Sequence, residues 1–231
     1  MKSTLNIINN FKNDGSSAIC LDIRNSTQLV RKFNTFEKLK FHSDFLVDLK
    51  SNIFHKELSG SISINDTGDG FICLLWNKTH AWSAFTIAVA MHSYINLNND
   101  RYIDFLKQHK ISIKFGFGIG LHTASSLVYR FPEYHRDFMF GKVLNTTARL
   151  ESFTKTFKNI NFLMSGYFLN TLKKQTDDYN QKRNKTINFE IFKEKYIRLV
   201  TNDKVEINDS NRSGHSLYTI NDNLLIINEL Q

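Results

Sequence analysis

Asp22 and Asp69 each adjoin an apolar run, and each sits where a carboxylate can meet a ligand. Taken singly, an aspartate at a strand end is most often a turn or cap residue. The surroundings add to that reading. In Asp22-Ile23-Arg24-Asn25-Ser26-Thr27 an apolar strand passes through a short polar turn into a helix, so backbone N–H groups at the helix start face outward and can take phosphate oxygens. In Thr67-Gly68-Asp69-Gly70 the glycines let the backbone come close to a bound group. Two converging carboxylates beside a phosphate-binding turn suit Mg2+ or Mn2+, hard ions that take oxygen ligands and share them with substrate phosphates. Further along, Gly141-Lys142-Val143-Leu144-Asn145-Thr146-Thr147-Ala148-Arg149-Leu150-Glu151 places Asn145 and Arg149 at i and i+4. On a helix they share one face, where an amide and a permanent cation could act on one substrate. A solvated polar face is the alternative for this pair in isolation.

These residues need elements to position them. Residues 17–23 form an apolar run ending near Asp22, the pattern of a buried strand that emerges at a sheet edge. From Ser26 to about His55 apolar residues recur at helical spacing with a break near Asn34-Thr35, which predicts one or two helices. Ile62 and Ile64 alternate with polar residues before the Gly-Asp-Gly turn, and residues 71–76 are apolar again, a β-hairpin with Asp69 at its turn. A long helix is expected over 80–107, strands over 111–121 and 125–129, and a helix over 142–156. Residues 162–164 read as a strand and 166–172 as a short helix. The polar stretch 174–186 reads as a solvated loop, and 187–200 and 216–220 as strands. The order β-α-α-β-β-α-β-β-α-β-α-β-β predicts an α+β fold in which helices cover a mixed sheet.

Taken in this order, residues 21–27, Thr67-Gly68-Asp69-Gly70 with its apolar strand, Gly120-Leu121-His122-Thr123 and residues 141–151 resemble the class III nucleotidyl cyclases, the adenylate and guanylate cyclase catalytic domain. The resemblance covers residues 16–165, and the last segment is the most specific. It implies a ferredoxin-like mixed sheet, one cyclase domain over 1–231 with a core of about 16–165 and a C-terminal elaboration of 166–231. The implied chemistry is cyclisation of a nucleoside triphosphate with two divalent ions, Mn2+ or Mg2+, held by Asp22, Asp69 and the carbonyl of Ile23. Asn145 would orient the ribose and Arg149 would stabilise charge on the α-phosphate. Asn25, Ser26 and Thr27 would receive the terminal phosphates. One set of metal residues and one set of transition-state residues per chain imply a homodimer with two interfacial sites. All of these residues are present, which implies an active enzyme and not a decayed scaffold.

Base recognition departs from the purine members. The position where adenylate cyclases carry an adenine-reading Lys, three before the Gly-Asp turn, is Asn65, and the second reader falls on Phe138. A Phe cannot hydrogen-bond a purine edge, whereas Asn65 can donate and accept, as uracil or cytosine requires. The bulk of Phe138-Met139-Phe140 favours a smaller base. The chain therefore looks like the bacterial pyrimidine cyclases of the Pycsar anti-phage system, which make cyclic UMP or cyclic CMP for a separate effector. UTP is placed ahead of CTP. Asp137, one position from the second reader, keeps ATP open. The family's His-Thr-Gly is His122-Thr123-Ala124, and the triphosphate-binding Lys near the C-terminus has no clear counterpart, with Lys204 the nearest guess.

Composition bounds these readings. The chain has 231 residues, 41% hydrophobic, with 20 Phe, enough apolar material for a full core. Its net charge of +8 favours a polyanionic partner. No DNA-binding motif or aromatic-rich RNA signature is present, so nucleic acid is not expected. Cys20 and Cys73 lie in apolar runs and read as core thiols, and the eight His show no metal-ligand spacing. No apolar stretch approaches a bilayer span and the first residues carry no signal-peptide core, so a cytoplasmic protein is expected.

Overall fold

A computed structural model of the chain describes residues 6–9, 15–53, 61–131, 136–205 and 215–221. Ten strands and seven helices follow one another in these residues: β1 (Asn6–Asn9), β2 (Ser16–Ile23), α1 (Ser26–Lys32), α2 (Phe36–Ile53), β3 (Ile62–Asp66), β4 (Gly70–Leu75) and α3 (His80–Gln108). Next come β5 (Phe117–Ala124), β6 (Leu127–Phe131), β7 (Arg136–Phe140), α4 (Lys142–Phe153) with a 3-10 turn over Thr154–Thr156, and β8 (Phe162–Ser165). The chain continues through α5 (Gly166–Lys174), α6 (Thr176–Arg183), α7 (Phe189–Tyr196), β9 (Ile197–Val205) and β10 (His215–Ile220). Seven strands form one mixed sheet in the order β3-β4-β2-β5-β8-β10-β9, and β1, β6 and β7 form a second, smaller sheet. Among the described residues only the β5–β8 pairing in the large sheet is parallel. This is the α+β mixed sheet expected from the order of elements.

Strand alternation sorts β2 between two layers. Ile19, Leu21 and Ile23 point into the main core, which they share with α2, α3 and α5. Ala18 belongs to a smaller cluster on the other face with Leu74, Val128 and Val143 of α4. The helix α4 lies close on β5 because Gly118 and Gly120 leave room for it. A Cβ on Gly118 would overlap the Glu151 carboxylate and Thr154 Oγ1, and one on Gly120 would overlap the backbone of Thr147 and Glu151. Burial of apolar side chains such as Trp82, Phe85 and Phe162, all 0% exposed, supplies the main stabilisation. Cys20 and Cys73 are buried free thiols, as expected.

Several expectations are corrected. Residues 174–186 are not a solvated loop: α5 runs to Lys174 and α6 occupies Thr176–Arg183. A single apolar side chain anchors α6, because Tyr179 is buried and stacks on Trp82 at 4.6 Å. Asp177 and Asp178 in its first turn and Lys182 and Arg183 in its last complement the helix dipole. The stretch 187–200 is not all strand. Asn188 caps α7 by accepting from the N–H groups of Glu190 and Ile191, and Phe189, Phe192 and Tyr196 are buried at helical spacing. Strand structure begins only at Ile197.

The strand expected from 111 starts at Phe117, although Ile111, Ile113 and Phe115 still alternate into the core. The second strand there is shifted to Leu127–Phe131. Neither β1 nor β7 was expected. The end of the helix placed near His55, and Pro132, lie outside the described residues. Among the described residues no helix is long and apolar enough to cross a membrane.

Candidate active site

The site grows from the end of β2. Asp22 pairs with Gly70 of β4 on one side and Gly118 of β5 on the other, and its side chain lies on the α4 face of the sheet. The Ile23 N–H donates to the carbonyl of Asp69 at 3.1 Å, which fastens the β3–β4 turn to the strand's last residue. A Cβ on Gly70 would overlap the Leu21 carbonyl, so the second glycine of Gly-Asp-Gly serves strand pairing. Gly68, at φ 95°, supplies the turn. The Ser26 hydroxyl donates to Asp69 Oδ2. Burial first, and then the charge of Asp69, lifts the Asp22 carboxyl above the ordinary carboxylate range.

A second charged group stands behind Asp22. Lys155, in the 3-10 turn that ends α4, places Nζ 3.4 Å from Asp22 Oδ2 and 3.9 Å from Glu151 Oε1. Glu151 is 4% exposed, and burial, followed by the charge of Asp22, pushes its carboxyl up to about 7. Arg24 reaches the same region and donates to Thr154 Oγ1 at 2.9 Å and to the Ile160 carbonyl at 3.2 Å. The Cys20 thiol is pushed up to about 12 by burial and by Glu151 and Asp22, so it stays protonated. Sequence reasoning missed Lys155 and Arg24. The one signal for Lys155 is its i+4 spacing from Glu151.

The remaining residues fall into two groups. Ile23 is 1% exposed, so only its carbonyl can serve as a ligand. Asn25 adopts φ 61°, and its side chain donates to the Lys114 carbonyl at 3.1 Å. Ser26 is buried with its hydroxyl committed to Asp69, and Thr27 is exposed. These stand beside Asp22 and Asp69. Asn145 and Arg149 do not: they are exposed on the outer face of α4, on the side opposite Glu151. Asn65 is half-buried on β3, Phe138 is 46% exposed on β7, and these two strands lie against each other. The side chains of Asp137 and Lys204 lie outside the described residues.

Asp22, Asp69 and the Ile23 carbonyl make an all-oxygen donor set, suited to a hard divalent ion. The ammonium of Lys155 against Asp22 is a cation already held at this carboxylate, so the residues fit the metals that the resemblance implies. Among the described residues no cluster of three or more His, Cys, Asp or Glu could hold a metal by itself. Any ion here would complete its shell with water or substrate.

No protein-family model and no curated protein matches the chain. Solved structures do. The adenylyl cyclase CyaB from P. aeruginosa superposes with a TM-score of 0.63 at 16% identity over 91% of this chain and 95% of that one. An adenylate cyclase from Trypanosoma brucei, in its monomeric state, gives 0.57 at 14% identity over 93% of each chain. A dimeric guanylyl cyclase domain of the RhoGC fusion protein from Blastocladiella emersonii gives 0.56 at 15% identity, over 90% of this chain and 96% of that one. The chain has the fold of the class III adenylyl and guanylyl cyclase domains.

Proposed function

We propose that the chain is a nucleotidyl cyclase that converts a pyrimidine nucleoside triphosphate, UTP ahead of CTP, to its 3′,5′-cyclic monophosphate and pyrophosphate. The observation that carries this reading is the pairing of Asp22 and Asp69 at the end of β2, in the fold of the cyclase domains. In the reaction the 3′-oxygen bonds to the α-phosphorus as the bond to the pyrophosphate oxygen breaks.

Asp22, Asp69 and the Ile23 carbonyl would hold two divalent ions, Mn2+ or Mg2+, which when bound supply Lewis acidity at the phosphates and acidify the attacking hydroxyl. Ser26 holds the Asp69 carboxylate in place. The backbone of Asn25, Ser26 and Thr27 would receive terminal phosphate oxygens. The Arg149 guanidinium would stabilise charge that grows on the α-phosphate. Asn145 would orient the ribose. Because both project from the outer face of α4, away from Glu151 and Asp22 of their own chain, they would serve the site of a second copy. A homodimer with two interfacial sites follows.

The side chains at the two base-reading positions favour a pyrimidine. Asn65 offers both a donor and an acceptor, and Phe138 on the neighbouring strand β7 offers neither, so a purine edge would lose a hydrogen bond in the place where purine cyclases make one. The product would act as a second messenger for a separate cyclic-nucleotide effector, as in the anti-phage systems the sequence resembles. Purified protein given ATP, GTP, CTP and UTP separately with Mn2+ tests this by mass spectrometry of the products. Cyclic UMP or cyclic CMP is expected, and cyclic AMP or cyclic GMP as the main product overturns the pyrimidine assignment.

A further inference from the structure

Lys155 bridges two carboxylates that differ sharply in surroundings. Its Nζ lies 3.4 Å from Asp22 Oδ2, the carboxylate proposed to hold metal, and 3.9 Å from Glu151 Oε1, which is buried and has no hydrogen-bond partner among the described residues. The lysine side chain is 48% exposed, so it has room to move, while that of Glu151, 5% exposed, is enclosed between α4 and β5. Both carboxylates lie on one face of the sheet, because Glu151 packs over Gly118 and Gly118 is the strand partner of Asp22.

We propose that Lys155 is the resident counter-cation of Asp22 and that it is handed over to Glu151 when a divalent ion arrives. Without metal, Asp22 and Asp69 stand as two adjacent carboxylates, and the ammonium offsets their repulsion. A metal ion takes over that task with a larger charge, and the displaced ammonium then faces a cation. Glu151 gives it a place to go: a short move closes the 3.9 Å gap to Oε1 and supplies that oxygen with the partner it lacks. Lys155 and Glu151 are thus positioning residues that set metal affinity without touching substrate.

This inference rests on the metal role of Asp22, and one titration separates the two. Mn2+ alone is added to the full chain at pH 8 and free Mn2+ is followed by its electron paramagnetic resonance signal, for wild type, D22N, K155M, E151Q and the K155M/E151Q double variant. Removal of the competing cation in K155M is expected to tighten Mn2+ binding about fivefold, the scale of a half-exposed ion pair. E151Q, which leaves the displaced lysine without a partner, is expected to weaken it about as much. In the K155M background E151Q should lose most of that effect, because no lysine remains to be received. If the two substitutions act independently, with E151Q equally harmful in both backgrounds, simple charge effects explain the data and the hand-over is wrong. Binding that D22N abolishes but K155M leaves unchanged also overturns it, with the metal site intact. Mn2+ binding indifferent to D22N overturns the metal reading itself, and this inference with it.

Discussion

The Ser26 hydroxyl donates to the carboxylate of Asp69, so the first residue of α1 is tied to the turn of the β3–β4 hairpin. Together with the Ile23 N–H on the Asp69 carbonyl, this bond sets where the second acidic residue stands relative to Asp22. Two segments separated in sequence are thereby made into one site.

Ser26→Ala should therefore loosen Asp69 without unfolding the chain. A hydrogen bond to a charged group contributes about 1.5–3 kcal/mol. The expected result is roughly a tenfold rise in the Mn2+ concentration needed for half-maximal rate, with the chain still folded and its thermal midpoint lowered by about 3–10 °C. Metal titration of the cyclase rate checks it.

Gly118→Ala should be far more damaging than Gly116→Ala. The added methyl at 118 overlaps Glu151 and Thr154 and pushes α4 off the sheet, whereas at 116 it meets only the flexible Arg24 side chain, at 3.3 Å. Overpacking of this kind costs about 1–3 kcal/mol. Thermal denaturation of both variants gives the comparison, and equal midpoints would contradict the close approach of α4.

How much of this could be read from the sequence depends on where the information lies. Asp22, Asp69, Asn145 and Arg149 stand out as candidates through local patterns: strand ends, a Gly-Asp-Gly turn and helical spacing. The paired role of Ser26 did not, because a serine after a strand reads first as a phosphate or cap residue, and its bond to Asp69 spans 43 positions. Lys155 was hidden for the same reason, as its contact with Asp22 spans 133. In the fold, α6 was missed because its sequence carries one buried aromatic, Tyr179, whose partner Trp82 lies in another helix. Tertiary packing overrode the local composition there.

Glu151 gives the metal-free chain a pH-dependent stability of definite sign. Its folded carboxyl, pushed up to about 7 by burial and by Asp22, lies above the unfolded value near 4.5, so the native state holds the proton more tightly. That stabilisation is fully present below about 4.5 and is lost as pH rises through 7. The loss is of order 3 kcal/mol by linkage. In EDTA, Glu151→Gln should flatten this decline, so that the variant gains on wild type between pH 5 and pH 8. Chemical denaturation at the two pH values measures it, and parallel profiles would contradict the assignment.

If Asp22 holds metal as proposed, Mn2+ binding has a pH slope of its own. With its carboxyl raised by burial and by Asp69, protons compete for it above the ordinary carboxylate range. Mn2+ affinity should fall on acidification at a higher pH than for an isolated aspartate. Calorimetric Mn2+ titrations at stepped pH values would show this.

The most direct test of a cyclase site shared between two chains is a mixing experiment. Asp22→Ala and Arg149→Ala should each be nearly inactive alone, since one lacks the proposed metal ligand and the other the proposed transition-state cation. Removal of a charge-stabilising donor costs about 100- to 1000-fold in rate. When the two inactive proteins are combined in equal amounts and allowed to exchange subunits, half of the dimers are mixed, and each mixed dimer holds one intact site. Cyclic nucleotide formation should then recover to about a quarter of wild type. A mixture that stays as inactive as its parts, beside an active wild type, would contradict the shared site.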